Sequence, residues 1–505
     1  KDNTNLATWD GELYLEMHRG TFTTKSNLKK ANRTLEFKLR ETELRAALAS
    51  LTGTSYPSEE LTECYKKFLL NQFHDILPGS HIHPVYEDAM NDYRSVSERL
   101  DAMLALTAGN EYFNSLNFTR SSITFIEDEN GAITRHGVKG FWSIPTLAGL
   151  STGTVAALPS KENWLSTEFC DKCDCLVLET PYYRAKLSSD GSFVSLYDKE
   201  LDREWVKEGC GFNKLHLYAD NPGVYDAWDI LPNYKDVQVA LNVDKPLALV
   251  SSDGSSAEFA VTFTTEKSTW KMILRFFADS RAIEVENVVD WDEKHKLVKV
   301  NFGPDVLTRE LVCDTSAGFV KRDLTKNTSW QQARFEVCHH KWCDMSESGS
   351  GIAIINEGKY GVGLEKDEIS LSLLRATIRP DITSDIGHHD FCYTILPHSG
   401  DAVEAQVNKT AMEYNVPLCK SNVTVPAALR DTLNNCGLYL QAMKRSEDGQ
   451  YLILRLSEQD GRRGKIAFPF EVQTMNLIED IEGSTKVVSY HPFELITVAV
   501  KPEDL

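Results

Sequence analysis

The chain has 505 residues and a mass of 56.9 kDa, with 42% apolar and 25% charged residues, the profile of a soluble globular protein with several cores. Its formal charge of −20 argues against nucleic acid as a partner, because phosphate binding needs basic stripes. No apolar run approaches the ~20 residues that cross a bilayer, so no membrane partner is expected.

The first residue is Lys and no signal-peptide pattern follows, so a processed or truncated product is expected. Eleven cysteines without a disulfide-framework spacing point to free thiols in a reducing compartment. A cytoplasmic location is expected, with vacuole or lysosome as the alternative. Sequons at Asn32, Asn117, Asn327, Asn408 and Asn422 match the roughly four that chance supplies and do not support secretion.

In chain order, residues 1–108 read as helical. Leu28, Ala31, Leu35, Leu39 and Leu44 recur at helical spacing from Ser26 to Leu51, and Glu36–Arg40 and Glu41–Arg45 are expected i,i+4 ion pairs. A second helix is predicted from Ser58 to His74, ending before Pro78-Gly79, and a third from Pro84 through Met103. Three helices with short links predict a bundle. Beyond residue 109, Asn130-Gly131 and Asp190-Gly191 are hairpin signals, and runs such as Ile283–Val289 and Leu452–Leu456 have strand chemistry. The fold class is therefore α+β: an N-terminal three-helix bundle (1–108), a large all-β sandwich region (109–400) and a small C-terminal β domain (401–505).

Several polar groups carry possible chemistry. His74 next to Asp75 combines an imidazole and a carboxylate at a helix end; by position alone, a histidine favoured there by the helix dipole is the plainer reading. His81 and His83 follow closely, so a three-histidine cluster is conceivable. Glu12, Tyr14, Glu16, His18 and Arg19 form a dense polar segment suited to acid–base work or to a solvated helix entry. Asp226-Ala-Trp-Asp229 suits a sugar-facing loop or a turn anchored by a buried Trp. Arg375 lies in another polar stretch. Cys338-His339-His340-Lys341-Trp342-Cys343 and Cys170-x-x-Cys173-x-Cys175 look metal-like but lack partners at ligand spacing.

Asn71–Ser80 and Gly11–Thr24, supported by Asp290–Lys296, Lys359–Gly361 and Leu373–Arg375, resemble the retaining α-mannosidases of glycoside hydrolase family 38, especially the cytosolic and vacuolar type. The resemblance runs from Trp9 to the C-terminal strands and implies a mutarotase-like β-sandwich region. It also implies Zn2+ as cofactor, with His74 a zinc ligand and Asp75 a sugar-binding carboxylate; Phe73 stands where many members carry a further His. Glu16, His18 and Arg19 would wall the sugar pocket, with His18 where relatives place an aromatic residue. Asp226 and Arg375 complete the expected substrate-binding set. The other zinc ligands, the aspartate nucleophile and the general acid are expected on an N-terminal catalytic portion or companion chain. The implied activity is hydrolysis of terminal α-mannose from mannose-containing oligosaccharides, and a homo-oligomer is expected. A non-catalytic carbohydrate-binding or assembly scaffold is the alternative.

Overall fold

A computed structural model describes residues 6–505, so Lys1 lies outside the described residues. Three helices, α1 (Ser26–Ser50), α2 (Ser58–Leu70) and α3 (His83–Ala105), precede a long succession of antiparallel strands. This is the expected α+β order. None of the described helices is long and apolar enough to cross a membrane.

The first helix serves two cores. Leu28, Leu35 and Leu39 pack with Leu61, Cys64 and Phe68 of α2 and with Ala89, Tyr93, Val96 and Leu100 of α3. Further along, Leu44, Ala47 and Leu48 join Leu440, Leu454 and Val498 of the C-terminal sheet. Each buried leucine contributes roughly 1.5–3 kcal/mol, so the helical region and the far end of the chain are bonded through one element.

That double burial also redirects the charges. Neither expected i,i+4 pair forms. Arg40 is buried and donates to the Leu440 and Ser115 carbonyls, and Arg45 donates to Thr107 and the Leu104 carbonyl. Glu36 pairs instead with Arg33, 2.7 Å away. Guanidinium groups that face a neighbouring element satisfy its free carbonyls in preference to a solvated i,i+4 partner.

The second helix stops at Leu70, four residues short of the predicted end. The Gln72 and Phe73 amides bond three residues back, to the Leu69 and Leu70 carbonyls, and the Asn71 side chain also takes the Lys67 carbonyl. These tighter turns unwind the helix before His74.

In the β region, a nine-stranded sheet runs in spatial order Asn242–Ser252, Ser256–Thr264, Thr269–Phe277, Ile283–Trp291, Gly387–Ser399, Ser350–Asn356, Trp342–Glu347, Glu310–Thr315 and Gly318–Asp323. It shares one large core with a six-stranded sheet that contains Phe212–Ala219, Lys296–Phe302 and Ile369–Ala376. The hairpin expected at Asp190-Gly191 joins Tyr183–Leu187 to Phe193–Asp198. At Asn130-Gly131 no hairpin forms; Ile133–Arg135 turns instead at His136-Gly137 onto Val138–Ser143. Past the expected boundary at 400, helix Val407–Asn415 still packs on Trp342, Ala353 and Ile355, and the five-stranded terminal sheet starts at Tyr439. Asn32, Asn117 and Asn408 are buried; Asn327 and Asn422 are exposed.

One buried acid on α1 has a pH consequence. Burial pushes the Glu43 carboxyl up to about 7, against the pull of Lys444 and the Tyr65 hydroxyl. An unfolded glutamate ionises near pH 4.3, so the folded chain holds a proton that the unfolded chain releases, and stability falls as pH rises from about 4.5 to 7. Glu43→Gln removes that dependence. It is expected to be near neutral at pH 4.5 and stabilising by on the order of 1–3 kcal/mol at pH 8, read from urea midpoints at the two pH values.

Candidate functional site

The N-terminal segment is laid down by one cross-chain cap. Lys25 has φ +63° and offers α1 no side-chain cap. Asp385 supplies it: its two carboxylate oxygens each accept from an amide, of Lys25 and Ser26, at 2.7 Å. A carboxylate at a helix N-terminus satisfies free amides and complements the dipole. The Lys25 ammonium pairs with Asp381, and both side chains are almost fully buried.

Beneath the short turn Arg19–Phe22 lies Arg375, 1% exposed. Its guanidinium binds Asp220 at 2.7 Å, the Thr24 hydroxyl at 3.3 Å and the Asp229 carbonyl. Gly20 permits this approach, because a Cβ there would stand 2.4 Å from Arg375 Nη1. Arg19 pairs with Asp229 at 3.2 Å, donates through Nε and Nη2 to the Ala333 carbonyl and stacks on Phe335 at 4.6 Å. Asp226 is fully buried; it accepts from the Ile378 amide at 2.6 Å and lies 3.2 Å from His295 Nε2. These three expected sugar contacts are therefore committed to holding loops, with Asp226 engaged through Oδ2 while its Oδ1 is buried without a hydrogen-bond partner among the described residues. Glu12 likewise faces Arg322, and the Tyr14 hydroxyl donates to the Glu336 carbonyl.

Two expected residues reach solvent instead. Glu16 and His18, with Met17, Val224, Tyr225 and Trp228, line an open cleft of about 460 Å³. Sequence reasoning missed Val224, Tyr225 and Trp228 as lining residues, although Asp226-Ala-Trp-Asp229 marked their loop. The Gly20 amide donates to the Trp228 carbonyl and the Thr24 hydroxyl to the Ala227 carbonyl, so this loop is fastened to the Arg19–Thr24 segment.

The same segment holds the turn that carries His74 and Asp75. Lys29 Nζ donates to the Leu77 and Pro78 carbonyls at 2.9 and 3.2 Å, and burial pulls its pKa down to about 7. Gly79, at φ +86°, lets the turn approach Thr24, whose oxygen would lie 2.6 Å from a Cβ. His74 itself projects outward, its side chain 77% exposed, with its ring 4.2 Å from the Phe73 ring and Nε2 3.5 Å from Asp75 Oδ2. The other Asp75 oxygen accepts from Ser80 at 2.9 Å.

The conceivable three-histidine cluster does not assemble. His81 turns inward to the Ile82 carbonyl, and His83 is held by Asp381 and Thr383. Among the described residues neither cysteine-containing motif brings three donor atoms within 4.8 Å of one another. His339 is buried between the Tyr360 carbonyl and Asn356, with burial pulling its pKa down to about 3, while Cys343 sits in the core. Cys170 and Cys175 face each other across a hairpin.

The distinction between buried and exposed charges is testable. Arg375→Ala leaves Asp220 buried without its counter-ion and is expected to destabilise the chain by roughly 3–5 kcal/mol. His18→Ala, at an exposed position, is expected to stay within about 0.5 kcal/mol. Urea unfolding of both variants separates the two roles.

Comparison with known proteins gives three family models in succession. Residues 16–109 match the alpha mannosidase middle domain, 178–383 the glycosyl hydrolases family 38 C-terminal domain, and 437–498 the glycosyl hydrolases family 38 C-terminal beta sandwich domain. Alpha-mannosidase 2C1 of Homo sapiens is 31% identical over 487 residues, which cover 91% of this chain and 46% of that protein. Alpha-mannosidase of Saccharomyces cerevisiae is 31% identical over 435 residues, covering 81% and 38%. The chain thus spans about half the length of the curated relatives it matches. In fold it is similar to an alpha-mannosidase from Enterococcus faecalis V583, with a TM-score of 0.73 at 13% identity, over 96% of this chain and 68% of that one. The chain belongs to glycoside hydrolase family 38, of which it carries the middle and C-terminal domains.

Proposed function

We propose that this chain is the middle and C-terminal part of a retaining, zinc-dependent α-mannosidase that removes terminal non-reducing α-D-mannose from oligomannosides. The observation that carries the reading is the His74–Asp75 pair, presented outward on a turn that Lys29, Ser80 and Gly79 hold rigid. An exposed imidazole without a hydrogen-bond partner among the described residues, on a braced turn, is suited to metal ligation. One imidazole does not hold zinc, and among the described residues no group of three metal-binding donors includes it. The remaining donors would come from a further polypeptide, in keeping with the share of its relatives that this chain spans.

When bound, zinc would supply electrostatic and orienting contacts to sugar hydroxyls. The chain's own residues do the rest of the positioning. Asp75, with one oxygen fixed by Ser80, accepts a hydrogen bond from a mannose hydroxyl through the other. The rings of His18, Tyr225 and Trp228 offer faces for a pyranose, and Glu16 accepts from the sugar at the cleft rim. Arg19, Asp226 and Arg375 act one layer below, by fixing the loops. The two carboxyl groups of the retaining reaction, one attacking the anomeric carbon and one protonating the leaving oxygen, would lie on the companion polypeptide. Eleven free thiols, and sequons of which three are buried, favour a reducing, cytoplasmic setting.

In the complete protein, His74→Ala is expected to abolish zinc retention and nearly all turnover of an aryl α-mannoside. Asp75→Asn is expected to weaken sugar binding while most zinc stays in place. Metal content by mass spectrometry with steady-state rates decides both; a His74→Ala enzyme with normal zinc and rate refutes the reading, and loss of zinc from Asp75→Asn would make that carboxylate a ligand.

A further inference from the structure

A second polar constellation lies outside the site just described, at the tip of the hairpin Ile133–Arg135/Val138–Ser143. Its two-residue turn is His136-Gly137, with φ +50° and +75°. Both positions of such a turn favour Asn, Asp or Gly, and a histidine in the left-handed region costs about 1 kcal/mol. Strain of this kind concentrates where a side chain has a task. The turn is clamped onto the nine-stranded sheet by the His136 amide, which donates to Glu286 Oε1 at 2.8 Å.

The imidazole then lands beside Cys392, on the strand Gly387–Ser399, and Glu357, just past the end of the strand Ser350–Asn356. His136 Nε2 lies 2.9 Å from Glu357 Oε1 and 3.3 Å from Cys392 Sγ, and the three donor atoms fall within 4.8 Å of one another. Among the described residues this is the one place where three such donors converge. Tetrahedral zinc at 2.0–2.3 Å from N, O and S needs donor separations of roughly 3.3–3.6 Å; the His136–Cys392 separation of 3.3 Å meets this, and the His136–Glu357 separation of 2.9 Å must open slightly. On its other side the ring is backed by carboxylates. Nδ1 is buried without an aligned hydrogen bond, with Asp390 Oδ2 at 3.2 Å and Glu286 Oε1 at 3.4 Å. A carboxylate behind the second nitrogen is the usual companion of a metal-ligating histidine.

Charge points the same way. Glu258, Glu284, Glu286, Glu357 and Asp390 crowd the junction, against Arg275, Arg135 and Lys30. Carboxylates outnumber these permanent cations, and an excess of partly buried negative charge favours a further cation. Cys392 is fully buried, whereas His136 and Glu357 keep 13% and 17% of their side chains exposed.

We propose that His136, Glu357 and Cys392 bind a divalent cation of the zinc class, fixing the 133–143 hairpin to the nine-stranded sheet, with water in the fourth position. Nitrogen, carboxylate oxygen and thiolate together suit zinc better than magnesium or calcium. As the metal–sulfur bond forms, the Cys392 thiol proton leaves to solvent. The site is independent of His74 and has a structural role.

Cobalt(II) titration of the chelator-treated complete protein tests it, because a thiolate ligand gives a sulfur-to-cobalt charge-transfer band that nitrogen and oxygen ligands do not. The band is expected in the wild type and in His74→Ala, and in a Cys170→Ser/Cys173→Ser variant. It is expected to vanish in Cys392→Ser and to weaken at least tenfold in apparent affinity in His136→Asn, which places the ordinary turn residue at that position and keeps the fold. A wild type without the band at saturating cobalt overturns the site, as does a band that survives Cys392→Ser or one lost with Cys170 and Cys173.

Discussion

The start of α1 is where the two halves of this chain are joined. A helix entered through a left-handed Lys25, without a capping side chain of its own, leaves amides that must find an acceptor in a dry environment. Asp385 meets them from 360 residues further along, one oxygen to each of two amides, while Asp381 neutralises the Lys25 ammonium. The helical region is thereby seated on the loops at the end of the six-stranded sheet, and Arg375, beneath Gly20, binds the neighbouring loop to the same place. The candidate cleft and the His74 turn both inherit their positions from this buried polar knot.

A division of labour follows from burial. Arg19, Asp226 and Arg375, which point inward, each hold at least two partners, and their chemistry is spent on geometry. Glu16, His18, His74 and Asp75 are left with free donors and acceptors because no neighbouring element covers them. Exposed apolar side chains stand in the same segments, among them Leu13, Leu15, Met17, Phe73, Val224 and Tyr225. The polar set is thus framed by surface that a sugar ring or a further polypeptide can cover.

How far the sequence could be read depended on the range of the deciding interaction. Helical spacing located α1 and α3, and Asp190-Gly191 located a hairpin, because these follow from neighbours within a few residues. The end of α2 was overrun by four residues, since competing three-residue turns and the Asn71 side chain settled it. The pairs Glu36–Arg40 and Glu41–Arg45 satisfied every local criterion, yet their arginines found carbonyls on other elements. At Asn130-Gly131 a turn forms, with the Gly131 amide bonded to the Asp128 carbonyl, but strand pairing places the hairpin reversal at His136-Gly137.

By itself the sequence determined the order of a helical and a β region, the acidic character, the family resemblance and the pairing of His74 with Asp75, all of which depend on residue identity and short spacing. Tertiary structure alone decided which charged groups face solvent. Arg19, Asp226 and Arg375 resemble sugar contacts in one dimension and are loop anchors in three, because their partners come from segments distant in the sequence. The convergence of His136, Glu357 and Cys392 has the same origin: only the register of the strands beneath the hairpin brings them within bonding distance.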